Sequence, residues 1–150
     1  MNRFIRQPIV AATLFAIGVV LGTAIASASD VVEERTAAMD TIRFGLSKAV
    51  PMIKGERPFD PELAEAALRM TYTGALAFQG KFPEGSVHKG ANPAIWVNKA
   101  DFEAKVVDFI KAAKAGVDAK PQTVEAFKVA YDELLADCAS CHKLYRIKDK

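Results

Sequence analysis

The chain has 150 residues, of which 51% are hydrophobic and 25% are charged, a balance that suits one domain with an ordinary apolar core. Its 20 Lys and Arg face 18 Asp and Glu. We therefore expect no nucleic acid partner and no attraction to anionic lipid.

Residues 1–28 are predicted to be a cleaved secretory signal peptide. Two arginines without an acid precede an apolar run from Ile9 to Ile25, and Ala26-Ser27-Ala28 offers the small residues of a cleavage site. The alternative is an uncleaved anchor, because the run approaches the roughly 20 residues that span a bilayer. Two glycines in the run and the lack of a basic stop-transfer flank favour cleavage. Residues 29–150 would then be a periplasmic protein without stable membrane association, with 20 − 2 = 18 basic and 18 acidic residues.

Four segments with helical periodicity follow, separated by Pro, Gly and Asn, and none alternates with the two-residue period of a strand. The first predicted helix runs from about Val31 to Val50, where Pro51 kinks or ends it. The second runs from Pro61, with Asp60 as its cap, to Gln79. The third runs from Asn98 as a cap to Gly116, and the last continues after Pro121 nearly to the chain end. One long connection, Gly80 to Val97, joins the second helix to the third. The sequence predicts an all-α, antiparallel four-helix bundle.

Each predicted helix has a core face at three-four spacing. The faces are Val32, Arg35, Met39, Ile42, Leu46, Ala49 and Ile53 in the first helix, Leu63, Ala67, Met70 and Ala77 in the second, Phe102, Val106, Phe109 and Ala113 in the third, and Val124, Phe127, Tyr131, Leu134, Cys138, Cys141 and Tyr145 in the last.

The segment Cys138-Ala139-Ser140-Cys141-His142 has the Cys-x-x-Cys-His pattern of covalent haem attachment. Helix positions three and four apart share one face. The two thiols can therefore reach the two haem vinyl groups while the imidazole points at the iron. The pattern predicts thioether bonds at both cysteines and His142 as the proximal axial ligand.

Three other readings of the cysteine pair are weaker. A thioredoxin-like dithiol belongs near a βαβ pattern, which the sequence lacks. A structural zinc site needs further close Cys or His ligands, and the only other histidine is His88 in the long loop. A disulfide across three residues of one helix closes too short a loop to stabilise much.

Two arginines are candidates for binding haem propionates. Arg35 lies on the apolar face of the first helix, where a buried guanidinium needs a partner, and a propionate would accept bidentate hydrogen bonds. Arg146, one turn after His142, is placed to serve the other propionate. The alternative for each is a surface arginine whose stem covers apolar atoms.

These residues resemble the class II c-type cytochromes, the cytochrome c prime family. In that family a four-helix bundle carries Cys-x-x-Cys-His close to the C-terminus, as Cys138 to His142 are here. Arg35 matches the family's first-helix arginine, and Arg146 matches the arginine one turn after the proximal histidine. Met39 lies where the family places the residue that faces the open side of the iron. The resemblance covers the whole mature chain and implies one covalently attached haem c.

The resemblance allows two functions, which depend on Met39. If its sulfur binds iron, the haem is six-coordinate and low-spin and suits an electron carrier. If Met39 only packs nearby, the iron is five-coordinate and its free face binds nitric oxide or carbon monoxide. The stretch Pro51 to Pro61, with Trp96 and Phe102, looks like the low-spin, cytochrome c-556 type. We therefore expect an electron carrier, with a gas-binding cytochrome c prime as the alternative.

Other methionines, Met52 and Met70, are weaker ligand candidates, because one follows a helix-breaking proline and the other lies on the second helix. No acid, base and nucleophile set adjoins the motif, so we expect no enzyme. The implied partners are redox proteins, and relatives of this type include monomers and homodimers.

Overall fold

The computed structural model describes residues 28–147, so residues 1–27 of the predicted leader lie outside the described residues. Within that part the chain forms five helices, α1 (Ala28–Ile53), α2 (Pro61–Phe78), α3 (Ala94–Val97), α4 (Lys99–Ala119) and α5 (Val124–Tyr145). The prediction of an all-α four-helix bundle is confirmed, with α3 as a single extra turn in the long connection. No helix of the described part is both long and apolar enough to span a membrane.

Local signals set the beginnings of α2 and α5. The Asp60 carboxylate accepts from the backbone N–H groups of Glu62 and Leu63 at 3.0 and 3.2 Å, so the predicted cap forms. The Thr123 hydroxyl accepts from Ala126 N–H at 3.2 Å in the same way. The predicted cap of α4 differs, because the Asn98 side chain makes no capping hydrogen bond.

The first helix runs past Pro51, which was predicted to kink or end it. Pro51 lies inside α1, which continues to Ile53. A proline removes one backbone donor, but the Pro51 carbonyl still accepts from Glu56 and Arg57 at 2.9 and 3.2 Å. Met52, which is 1% exposed, anchors this last turn in the core.

Gly116 was predicted to close α4, and this prediction is wrong. The helix continues to Ala119 and ends at Lys120, whose φ of 43° is left-handed. A Cβ on Gly116 would lie 2.9 Å from Leu68 Cδ2. The glycine therefore lets α4 approach α2 closely instead of ending the helix.

The core face of α2 is also rotated from the predicted one, since Ala77 is exposed and Gly74 is buried. A Cβ on Gly74 would lie 2.7 Å from Ile42 Cγ1 and 2.8 Å from the Ala38 carbonyl oxygen. The close contact between α1 and α2 therefore needs the glycine on the inner face. The predicted face of α5 holds, with Phe127, Tyr131, Leu134 and Tyr145 buried.

The helices pack in a ring that is incomplete on one side. α1 packs extensively on α2, α2 on α4, and α4 on α5, whereas α1 and α5 touch only sparsely. The buried apolar residues form two separate clusters, one around Met52, Leu68 and Phe127 and one around Phe82 and Phe102. Of the predicted site residues, Arg35 and Met39 are on α1, and Cys138, Cys141 and His142 are on α5.

Candidate haem site

The last turns of α5 carry the cysteine pair and the histidine of the motif. Cys138 and Cys141 are free thiols and half-buried. Burial raises the pKa of Cys138 to about 11 and also raises the pKa of Cys141. Both side chains are therefore protonated near neutral pH, three residues apart on one helix face.

His142 follows on the next position of the same helix and is half-buried. Burial, and then the nearby positive charge of Arg146, lowers the pKa of His142. The imidazole is therefore neutral near pH 7, which is the form that binds a metal. Neither ring nitrogen has a hydrogen-bond partner within residues 28–147.

Met39, the predicted distal ligand, is on α1. It is half-buried, one turn after the buried Arg35 and beside the buried Ala38. Met39, Cys138 and His142 belong to neither of the two apolar clusters, whereas Cys141 packs against the one around Phe102.

Arg35 is 5% exposed, so the prediction that it is buried is confirmed. Its Nη1 donates to the Lys81 carbonyl at 3.3 Å and the Ser86 hydroxyl at 3.1 Å, and its Nη2 donates to the Ser86 carbonyl at 2.6 Å. The guanidinium carbon lies 4.6 Å from the centre of the Phe82 ring. Burial lowers the pKa of Arg35, but a guanidinium remains charged at neutral pH. In the described residues its partners are neutral oxygens of the long connection.

Arg146 is exposed just beyond α5, and its backbone N–H donates to the His142 carbonyl at 3.3 Å. It forms an isolated antiparallel β-bridge with Ala91 of the connection. Arg146 therefore lies one turn past His142, at the end of the bundle where α5 meets the long connection.

One structural contact near the motif has no signal in the sequence. The Tyr145 hydroxyl donates to the Asp101 carboxylate at 2.5 Å, and Lys105 lies 4.0 Å from the same carboxylate group. This contact joins the end of α5 to the start of α4. The two residues are 44 positions apart, so no local pattern in the sequence links them.

The other candidate ligands lie elsewhere. Met52 is fully buried in the first apolar cluster, Met70 is half-buried on α2, and His88 is exposed in the connection. Among the described residues no group of three or more His, Cys, Asp and Glu side chains is placed to hold a metal ion. This gives the zinc alternative no support in that part of the chain.

The chemistry of these residues fits a haem c. Two protonated thiols and a neutral imidazole lie on α5, and α1 carries a half-buried thioether side chain. A bundle of this size normally has one contiguous core, whereas here the apolar contacts break into two clusters. Along α5 the motif lies between Leu134 of one cluster and Tyr145 of the other, so an apolar cofactor held there would add contacts to the core.

Comparison with known proteins agrees with this site. A family model described as cytochrome C' matches residues 30–146. The chain belongs to the cytochrome c′ family. Cytochrome c-556 of Agrobacterium fabrum is 38% identical over 149 residues, covering 95% of this chain and 96% of its own. Cytochrome c-554 of Cereibacter sphaeroides is 33% identical over 124 residues, covering 79% of this chain and 93% of its own. The solved cytochrome c prime from Shewanella frigidimarina is 28% identical with a TM-score of 0.76, covering 83% of this chain and 99% of its own.

As a member of the cytochrome c′ family, of the c-556 type, the protein is a monohaem c-type cytochrome that carries electrons. Its cofactor is one covalently attached haem c. As an electron carrier it works with redox partner proteins.

Proposed function

We propose that the protein is a periplasmic electron carrier whose haem is attached at Cys138 and Cys141 and ligated by His142 and Met39. The observation that supports the proposal is that the cysteine pair and the neutral His142 share the last turns of α5, while α1 carries Met39 as a half-buried thioether. The names cytochrome c-556 and c-554 of the relatives support the carrier type over the gas-binding one.

The protein's own residues would each make one contribution. Addition of the S–H of Cys138 and of Cys141 across the two vinyl groups of a haem would give two thioether bonds, which would hold the cofactor independently of ligand affinity. His142 and Met39 would supply an imidazole and a thioether as iron ligands, and a thioether ligand favours the ferrous state and raises the reduction potential. When bound, haem c supplies a one-electron Fe(III)/Fe(II) couple. Arg35 and Arg146 would offset the charge of its propionates.

A second candidate function is the binding of nitric oxide or carbon monoxide. The structural similarity to cytochrome c prime and the partial burial of Met39 favour it. In that case Met39 would be a wall of the pocket, as methionine often is in helical cores.

Absorption spectra separate the two functions. For the wild-type protein, oxidised and reduced, we expect a low-spin spectrum that carbon monoxide leaves unchanged. The Met39→Ala protein should become high-spin and bind carbon monoxide, and its reduction potential should be lower than that of the wild type. The matched control is Met70→Ala, which removes another half-buried methionine from α2 and should leave the spectrum unchanged. A wild-type protein that is already high-spin and takes up carbon monoxide would replace the carrier with the gas-binding function.

The periplasmic location rests on the leader, which needs its own measurement. Intact mass of the protein purified from the periplasm should correspond to a chain that begins at Ser29 and carries one haem. A mass that includes residues 1–28 would show that the segment is retained as an anchor.

A further inference from the structure

The end of α5 and the long connection lie side by side. The Ile147 N–H donates to the Gly90 carbonyl at 3.1 Å, and the Asn92 N–H donates to the Tyr145 carbonyl at 3.0 Å. Two segments that are far apart in sequence therefore form one surface at the end of the bundle where α5 meets the long connection.

This surface carries positive charge that is not neutralised. Neither residues 85–98 nor residues 138–147 contain an Asp or Glu. Lys89, Lys143 and Arg146 are exposed, and none of them has an acidic side chain within ion-pair distance in residues 28–147. Three of the lysines on α4 differ, because Lys105, Lys111 and Lys114 each lie within 4.0 Å of an aspartate.

Exposed apolar side chains lie among these bases. Leu144 is 46% exposed and Ile147 is 42% exposed. Lys143 and Leu144 are in the last turn of α5, and Arg146 and Ile147 follow it directly, where the chain is extended and pairs with the long connection. We call Lys89, Lys143, Leu144, Arg146 and Ile147 the C-terminal patch. Exposed apolar groups surrounded by charges are typical of protein–protein contact surfaces.

The patch adjoins the helical turn that carries His142, since Lys143 follows it directly and Arg146 is one turn further. Residues 29–150 contain 18 basic and 18 acidic side chains, 20 − 2 against 18. Because these charges balance, any preference for a partner of one charge must come from the local arrangement of charged groups. If Arg35 and Arg146 offset two propionates, Lys89 and Lys143 are the other bases of the patch, and within residues 28–147 neither has an acidic side chain at ion-pair distance.

We propose that the C-terminal patch is the docking surface for the acidic face of a redox protein, with Lys89 and Lys143 steering the approach. This inference rests on the proposed electron-carrier function. An acidic partner is favoured because both joined segments lack acids, and the apolar pair would exclude water once the partner has docked.

The test uses the purified, haem-loaded, reduced protein and three oxidants that each accept one electron from it. Ferricyanide is a small anion, tris(phenanthroline)cobalt(III) is a small cation, and plastocyanin is an acidic copper protein. Stopped-flow rates are measured from about 10 mM to about 200 mM salt, a range over which screening becomes strong. The variant is Lys89→Glu/Lys143→Glu. The control is Lys128→Glu, an exposed site on α5, 15 residues and about 22 Å from Lys143.

We expect the ferricyanide and plastocyanin rates to fall with salt and to drop about tenfold at low salt in the double variant. The cobalt complex should react faster with that variant, and Lys128→Glu should change each rate by less than about twofold. Equal salt dependence for both small ions, or equal effects of variant and control, would overturn the docking surface and leave the carrier function standing. A protein that none of the three oxidises would overturn the carrier function itself.

A membrane is the competing occupant of the patch. Cosedimentation with vesicles of equal parts phosphatidylcholine and phosphatidylglycerol tests it. Binding that is lost in Lys89→Glu/Lys143→Glu would overturn the protein partner, and absence of binding supports it.

Discussion

Replacing Arg35 tests how the long connection is attached to α1. Arg35 fastens the long connection to α1 through three hydrogen bonds, two of them to Ser86, which is itself 1% exposed. Arg35→Met keeps an unbranched apolar stem of comparable reach and removes the donors. The Ser86 carbonyl, which accepts at 2.6 Å, would then be buried without its partner.

The expected loss follows from these contacts. A hydrogen bond to a charged group contributes about 1.5–3 kcal/mol, and an orphaned buried acceptor costs about 1–3 kcal/mol. The three bonds share one guanidinium and do not add independently, and the buried methionine recovers part of the loss. We expect the free energy of unfolding to fall by about 3 kcal/mol. In a domain of this size that lowers the melting temperature by about 10 °C.

Chemical denaturation of the haem-loaded protein, followed by far-ultraviolet circular dichroism, measures this change. The control is Arg43→Met, two turns further along α1, whose side chain is 78% exposed and pairs with Asp40 at 2.6 Å. An exposed pair of this kind contributes at most about 1 kcal/mol. Equal destabilisation by the two substitutions would refute the reasoning.

The reduction potential gives an independent readout for the same variant. If Arg35 also lies near a propionate, removing its charge favours the oxidised protein and lowers the midpoint potential. Destabilisation with an unchanged potential would show that Arg35 holds the connection and does not serve a propionate.

Three further predictions follow from the same structure. Replacing Cys138 and Cys141 together by Ala should release all haem into acid acetone, whereas the wild-type protein keeps it; haem released from the wild type would contradict covalent attachment. Gly74→Ala should lower the free energy of unfolding by about 2 kcal/mol, because the new methyl group would lie 2.7 Å from Ile42 Cγ1; an unchanged denaturation midpoint would show that α1 and α2 can separate freely. Burial raises the pKa of Tyr131 to about 12, so unfolding releases a proton above about pH 10 and stability should fall as the pH rises from there. Tyr131→Phe should flatten this fall in alkaline denaturation curves, and an identical curve would contradict it.

Local sequence signals were sufficient for much of this protein. The Asp60 cap acts on residues two and three positions away, and the haem motif spans five consecutive positions. Periodicity over a few turns identified the helices and the buried face of α5. The roles of Cys138, Cys141, His142 and Met39 stay predictions, which the spectra and the extraction above test.

Only the tertiary structure decided how distant segments meet. The hydrogen bonds of Arg35 reach 46 and 51 residues along the chain, and the bond from Tyr145 reaches Asp101 across 44. No role was predicted for Gly74, and Gly116 was predicted to end a helix; that both allow close helix packing became clear only where Ile42 and Leu68 pack against them. The pairing of residues 90 and 92 with the end of α5 likewise created a surface that neither segment predicts. A local pattern records which face of a helix is apolar, whereas packing determines which partner covers that face and which buried donor finds which acceptor.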